Sequence, residues 1–221
     1  AEATKLIEQA FSNARGHSRS ARMKRGWRSS TAPNRPPQPE VRTTKDINQA
    51  QLSIGFKTFG IHDEGKYAAS VLTAILGRGM SSRLFQEVRE KRGLSYDISA
   101  HIQFFEDTGI LSISGGMDPA RAQEAFEVIQ SELRTIATTK VPEKELQRTK
   151  DYLIGNFRMS NEKVLTKMIY YGSSMLEYNR LILPSELIEK IRAVTAEDVL
   201  SAARDIIVAS KRTVSWVLPK G

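Results

Sequence analysis

The stretch GMSSRLFQEVREKRGLSY, residues 79–96, decides how this chain folds. Its opening glycine and serines read as a loop. Leu84, Phe85 and Val88 then recur at helical spacing, so a helix over about 81–91 should turn those three inward. Arg92-Gly93 ends that helix, because glycine takes the left-handed backbone that closes helices. Leu94-Ser95-Tyr96 leads into a strand, which leaves Arg89 and Tyr96 seven positions apart around the turn. By spacing alone, Arg89 reads as a cation at a helix C-terminus and Tyr96 as a packed strand residue.

Regular elements continue on both sides. Upstream, Leu52, Ile54 and Phe56 alternate with polar neighbours in the period of a half-buried strand. A helix over about 65–76 follows, burying Tyr67, Ala68, Val71, Leu72 and Ile75, and Gly77 and Gly79 break it. Downstream, 95–105 and 109–115 read as two strands of an antiparallel hairpin turning at Glu106-Asp107-Thr108. Asp118-Pro119 starts a helix with Asp as N-cap, and Pro142 starts another. A further helical stretch covers about 162–176, Pro184 and Thr195 begin two short helices, and 213–218 closes as a strand. Thr195 with Asp198 has the form of a capping box. The fold class is α+β: an antiparallel sheet covered on one side by helices.

Composition removes several functions. The 221 residues are 40% apolar, enough for a sizeable core, and no apolar run approaches the ~20 residues of a membrane span. Cysteine is absent, which excludes thiolate metal sites, disulfides and a cysteine nucleophile. His17, His62 and His101 are far apart and none has a histidine one helical turn away, so the chain carries no zinc-binding pair. His62-Asp63-Glu64 reads as a polar turn before a helix. Ser81 and Ser82 lack a nearby base and read as helix caps.

The net charge of +8 is concentrated in one place. Residues 9–39 hold Arg15, Arg19, Arg22, Lys24, Arg25, Arg28 and Arg35 with no acid, and the same region ends in PNRPPQP, just before Glu40. This is the composition of an extended linker, and the rest of the chain is nearly neutral. Trp27 could stack on a base, but no nucleic-acid fold signature accompanies it, so specific nucleic-acid binding is not expected. Residues 1–12 carry Leu6, Ile7, Ala10 and Phe11 on one helical face.

The order of residues in 79–96 closely resembles the signature of the pitrilysin, or insulinase-like, zinc peptidases, which include the mitochondrial processing peptidases. The likeness extends more weakly over 46–219, through DINQAQLSIGF and ELQRTKDYLIGNF. Those enzymes are built from α+β repeat units in two halves that close around a peptide, with the zinc on His-x-x-Glu-His in one half. This sequence has no such motif, and so resembles the other half.

The resemblance implies three parts: 1–12 as the last helix of a preceding domain, 13–45 as a basic Pro-rich linker, and 46–221 as the C-terminal domain. It also implies the function: the non-metal half of a zinc-dependent endopeptidase, inactive alone. No cofactor is expected in this segment, and zinc is expected in a partner half, upstream in the same chain or on another subunit. The implied partners are that half and a peptide substrate, in a homodimer or a heterodimer, with a periplasmic setting for a bacterial member. By the same resemblance Arg89 and Tyr96 are the catalytic residues, binding the substrate carbonyl and the oxyanion formed when water attacks it. Gly77-Arg78-Gly79 resembles a shortened glycine-rich loop of the family, and equally a helix C-cap. The strand from Gln51 and the hairpin carrying His101 and Gln103 are candidates to extend a bound peptide. A second reading stays open: a catalytically silent scaffold relative with the same fold.

Overall fold

The computed structural model describes residues 40–209 and 212–220. Five strands form one sheet: β1 (Glu40–Lys45), β2 (Ala50–Thr58), β3 (Ser95–Phe104), β4 (Gly109–Met117) and β5 (Thr213–Pro219). Their spatial order is β1-β5-β2-β4-β3. The α+β class read from the sequence holds, and every pairing is antiparallel except the parallel one between β1 and β5. β1 lies at the end of the stretch read as a linker. All six of its residues are exposed, so it carries no apolar alternation to read, yet Val41, Thr43 and Thr44 suit an edge strand.

Among the described residues six α-helices accompany the sheet: α1 (Gly65–Gly77), α2 (Ala122–Thr138), α3 (Glu143–Ser160), α4 (Val164–Tyr178), α5 (Pro184–Ala193) and α6 (Ala196–Ile206). The alternation in β2 shows which side they cover. Leu52, Ile54 and Phe56 are buried while Gln51, Ser53 and Lys57 on the opposite face are exposed. α1 is the core helix, with nine of its thirteen residues buried. It lies against β3 so closely that a Cβ on Gly77 would come within 2.3 Å of the Ala100 amide nitrogen.

The starts marked at Asp118 and Thr195 are real, whereas Ser81 and Ser82 do not cap: Ser82 Oγ donates to the Gly79 carbonyl at 2.8 Å. Asp118 Oδ1 accepts from the Ala120 amide at 2.9 Å, ahead of a short 3-10 turn (Pro119–Arg121) that leads into α2. Thr195 and Asp198 form both bonds of the capping box at α6. Phe126 and Phe157 pack against the core while only partly buried. No helix among the described residues is long and apolar enough to cross a membrane.

Candidate functional site

The segment leading to Tyr96 is anchored from below. Leu84, Val88 and Leu94 are completely buried, whereas Phe85, which the spacing turned inward, is only partly covered. The reason is a wider coil: Phe85–Glu90 is a π-helix, shown by the Lys91 amide donating to the Gln86 carbonyl five residues back at 2.9 Å. Arg83 fixes this segment to α3 through a two-pronged pair with Glu145, both contacts 2.8 Å and both side chains less than one fifth exposed. The hydrogen bond to Glu145 holds the Arg83 guanidinium above its ordinary pKa.

Three cations follow on the exposed end. Glu87 takes two of them, accepting from Lys91 at 2.5 Å and Arg92 at 2.6 Å, and these bonds draw its carboxyl below the usual carboxylate range. Arg89 is the third. It is exposed, its guanidinium carbon lies 4.8 Å from the centre of the Phe85 ring, and among the described residues it has no ion pair or side-chain hydrogen bond. The chain then reverses at Gly93, φ +58°, where a side chain would be strained; its amide donates to the Arg89 carbonyl at 3.0 Å.

Tyr96 owes its direction to a β-bulge. Ser95 pairs with Met117 and Asp97 with Gly116, so Tyr96 is the extra residue. Unbroken alternation would put it on the side of Ile98 and Ala100, which are 5% and 0% exposed. Instead Tyr96 is 60% exposed. Two bonds close the bulge: Ser95 Oγ donates to the Asp97 carbonyl at 2.5 Å, and the Gly116 amide donates to Asp97 Oδ1 at 3.0 Å. The opposing strand must be bare there, since a Cβ on Gly115 would lie 2.4 Å from the Asp97 carbonyl oxygen. Sequence reasoning passed over Ser95, Asp97 and this glycine pair; two successive glycines in a strand were the available signal.

Arg89 and Tyr96 are thus both directed to solvent, one from the π-helix and one from the bulge, and no hydrogen bond joins them. The arrangement offers a planar cation and a phenol O–H to an outside acceptor. β3 is also the edge of the sheet, flanked by a cleft of about 670 Å3 lined by Arg78, Gly79, Ser99, His101, Tyr152 and Asn156. Of the two strands read as candidates to extend a bound peptide, β3 lies at an edge of the sheet. The strand from Gln51 does not offer one, because β2 is paired on both sides.

The described residues do not fit zinc. Among the described residues no group of three or more His, Asp or Glu side chains could hold a metal ion. His62 bonds Glu106 at 3.1 Å and His101 bonds Ser99 at 3.1 Å, in separate places; His17 lies outside the described residues.

The described residues thus form an α+β unit in which Arg89 and Tyr96 stand exposed above a buried anchor. The chain belongs to the peptidase M16 inactive-domain family, whose pattern matches residues 1–153, in agreement with the resemblance carried by residues 79–96. It is 36% identical over 162 residues to the uncharacterized zinc protease YmxG of Bacillus subtilis, an alignment covering 73% of this chain and 40% of that protein. The fold matches a protease from Helicobacter pylori with a TM-score of 0.76 at 18% identity, covering 85% of this chain and 45% of that one. It matches the peptidase M16 inactive domain from Pseudomonas fluorescens with a TM-score of 0.73 at 21% identity, over 82% and 44%. The chain spans about two fifths of the length of the curated relatives it matches.

Proposed function

We propose that this chain is the non-metal half of a zinc-dependent endopeptidase, and that Arg89 and Tyr96 bind the scissile carbonyl of a peptide. On this reading residues 1–12 end a preceding domain and the basic stretch after them connects it to the α+β domain, whose sheet extends upstream to Glu40. The zinc belongs to the partner half, which supplies the attack on the peptide bond. Within this chain, the Tyr96 O–H donates to the carbonyl oxygen as negative charge builds there. The Arg89 guanidinium offsets that charge. Donors aimed at a developing oxyanion typically contribute a few kcal/mol to lowering a barrier.

One observation carries the reading: the bulge at Ser95–Asp97 turns a tyrosine out of the core pattern, beside a helix whose neighbouring cations are held by Glu87. A tyrosine serving only to pack would keep the alternation and stay inside.

The test is Tyr96→Phe assayed on an unfolded peptide with the zinc-bearing half present. Turnover should fall by about two to three orders of magnitude, with kcat affected more than KM. The unfolding midpoint should barely move, because the exposed hydroxyl has no partner among the described residues. Near-normal turnover in Tyr96→Phe and Arg89→Lys, with normal folding, would support the silent scaffold instead.

A further inference from the structure

Helix α4 is amphipathic the wrong way round. Its apolar residues Leu165, Met168, Ile169, Met175 and Leu176 form a helical stripe with Gly172 at its middle, and all five side chains are exposed, Leu176 by 90%. The inward face is the polar one. Ser174 is the helix's only fully buried residue; it donates to the Arg180 carbonyl and accepts from the Ile182 amide, both at 2.7 Å. Tyr170 stacks edgewise on Phe157 at 5.4 Å, and the Tyr178 hydroxyl reaches the Ile61 carbonyl at 3.3 Å. The helix is therefore pinned by three polar or aromatic contacts while its hydrophobic side faces water.

With Val164, which is 84% exposed, six large apolar side chains stand exposed together on this helix. A contiguous apolar patch of that kind marks an interaction surface rather than ordinary monomer surface. Neither charged residue of α4, Lys167 or Glu177, lies on it. A large apolar face without charge is the mark of a permanent contact, whereas transient partners meet through more polar surfaces. A lipid surface is a poor fit, since helices that lie on membranes carry lysine and arginine along their polar face, and here that face is spent on the body of the domain. The curated relatives carry more than half of their length outside the span that this chain matches, which supplies a permanent neighbour of sufficient size.

We infer that the apolar stripe of α4 is the seat of the zinc-bearing half. This rests on the function proposed above and adds to it the surface by which the two halves hold together, away from Arg89 and Tyr96 in the sequence.

The experiment joins this chain with the part of the Bacillus subtilis relative that lies outside the matched span, expressed as a second chain. Sedimentation should show a one-to-one complex. The double variant Met168→Glu, Leu176→Glu should weaken it at least about a hundredfold while circular dichroism of the chain alone stays unchanged. The conservative pair Met168→Leu, Leu176→Met should bind as the wild type does. Tyr96→Phe should keep the complex and lose turnover, which separates the two claims. Three results would overturn the inference: undiminished binding by the charged variant, loss of a homodimer with binding of the second chain unaffected, or binding to anionic lipid vesicles that the charged variant abolishes. None of the three touches the Tyr96 result.

Discussion

Residues 79–96 and helix α4 are both amphipathic segments, yet they are mounted in opposite senses. In the first, Leu84, Val88 and Leu94 are fully buried and Arg89, Glu90, Lys91 and Arg92 stand outside. In the second the apolar stripe stands outside and the polar side faces the domain. Periodicity identifies an apolar face in both cases; it does not say what covers that face. For 79–96 the cover comes from β3 and α2 within this chain. For α4 nothing among the described residues covers it.

The comparison is broken most directly by alanine substitutions at the two apolar faces. Leu84→Ala empties a completely buried site and should cost about 2–5 kcal/mol in chemical denaturation. Leu176→Ala, in the same chain alone, should stay within about 0.5 kcal/mol because water already surrounds that side chain. A loss of several kcal/mol at Leu176 would mean that α4 is packed against something in the isolated chain and that the contrast is false.

A second substitution sharpens the link between the anchored segment and the tyrosine it presents. Asp97→Ala removes the acceptor of the Gly116 amide and loosens the bulge without touching the phenol. If the bulge aims Tyr96, turnover with the zinc-bearing half should fall by about tenfold, mostly in kcat, while Asp97→Asn restores much of it. Equal losses in both variants would point to the carboxylate charge itself.

The smallest expected effect concerns acid. Glu87 is held below the usual carboxylate range by its bonds to Lys91 and then Arg92. A depressed folded-state pKa contributes stability above the unfolded value and loses it as pH falls through the folded one. Stability should therefore decline below about pH 4, and Glu87→Gln should flatten a small part of that decline. The side chain is largely screened by solvent, so the difference belongs in a careful urea series rather than a thermal scan. An unchanged acid limb would show that the two cations do not depend on Glu87.

Much of this molecule was legible in its residues. The buried sides of β2, α1 and α2, the starts at Asp118, Pro142, Pro184 and Thr195, and the pairing of β3 with β4 all follow from period and capping chemistry, which act over a few residues. The family was carried by the order of residues around Arg89 and Tyr96 and confirmed by comparison. Tertiary structure alone decided the rest. Which strands lie side by side depends on contacts between segments far apart in sequence, so the parallel β1–β5 pair and the central place of β2 had no local signal. The direction of Tyr96 depends on one residue of register against β4, where Gly115 and Gly116 leave room for the bulge. The orientation of α4 is likewise a matter of which neighbours it meets, Ile61 and Phe157 on one side and none described on the other. Local chemistry determines what an element is; only the packing of distant elements determines which way it faces.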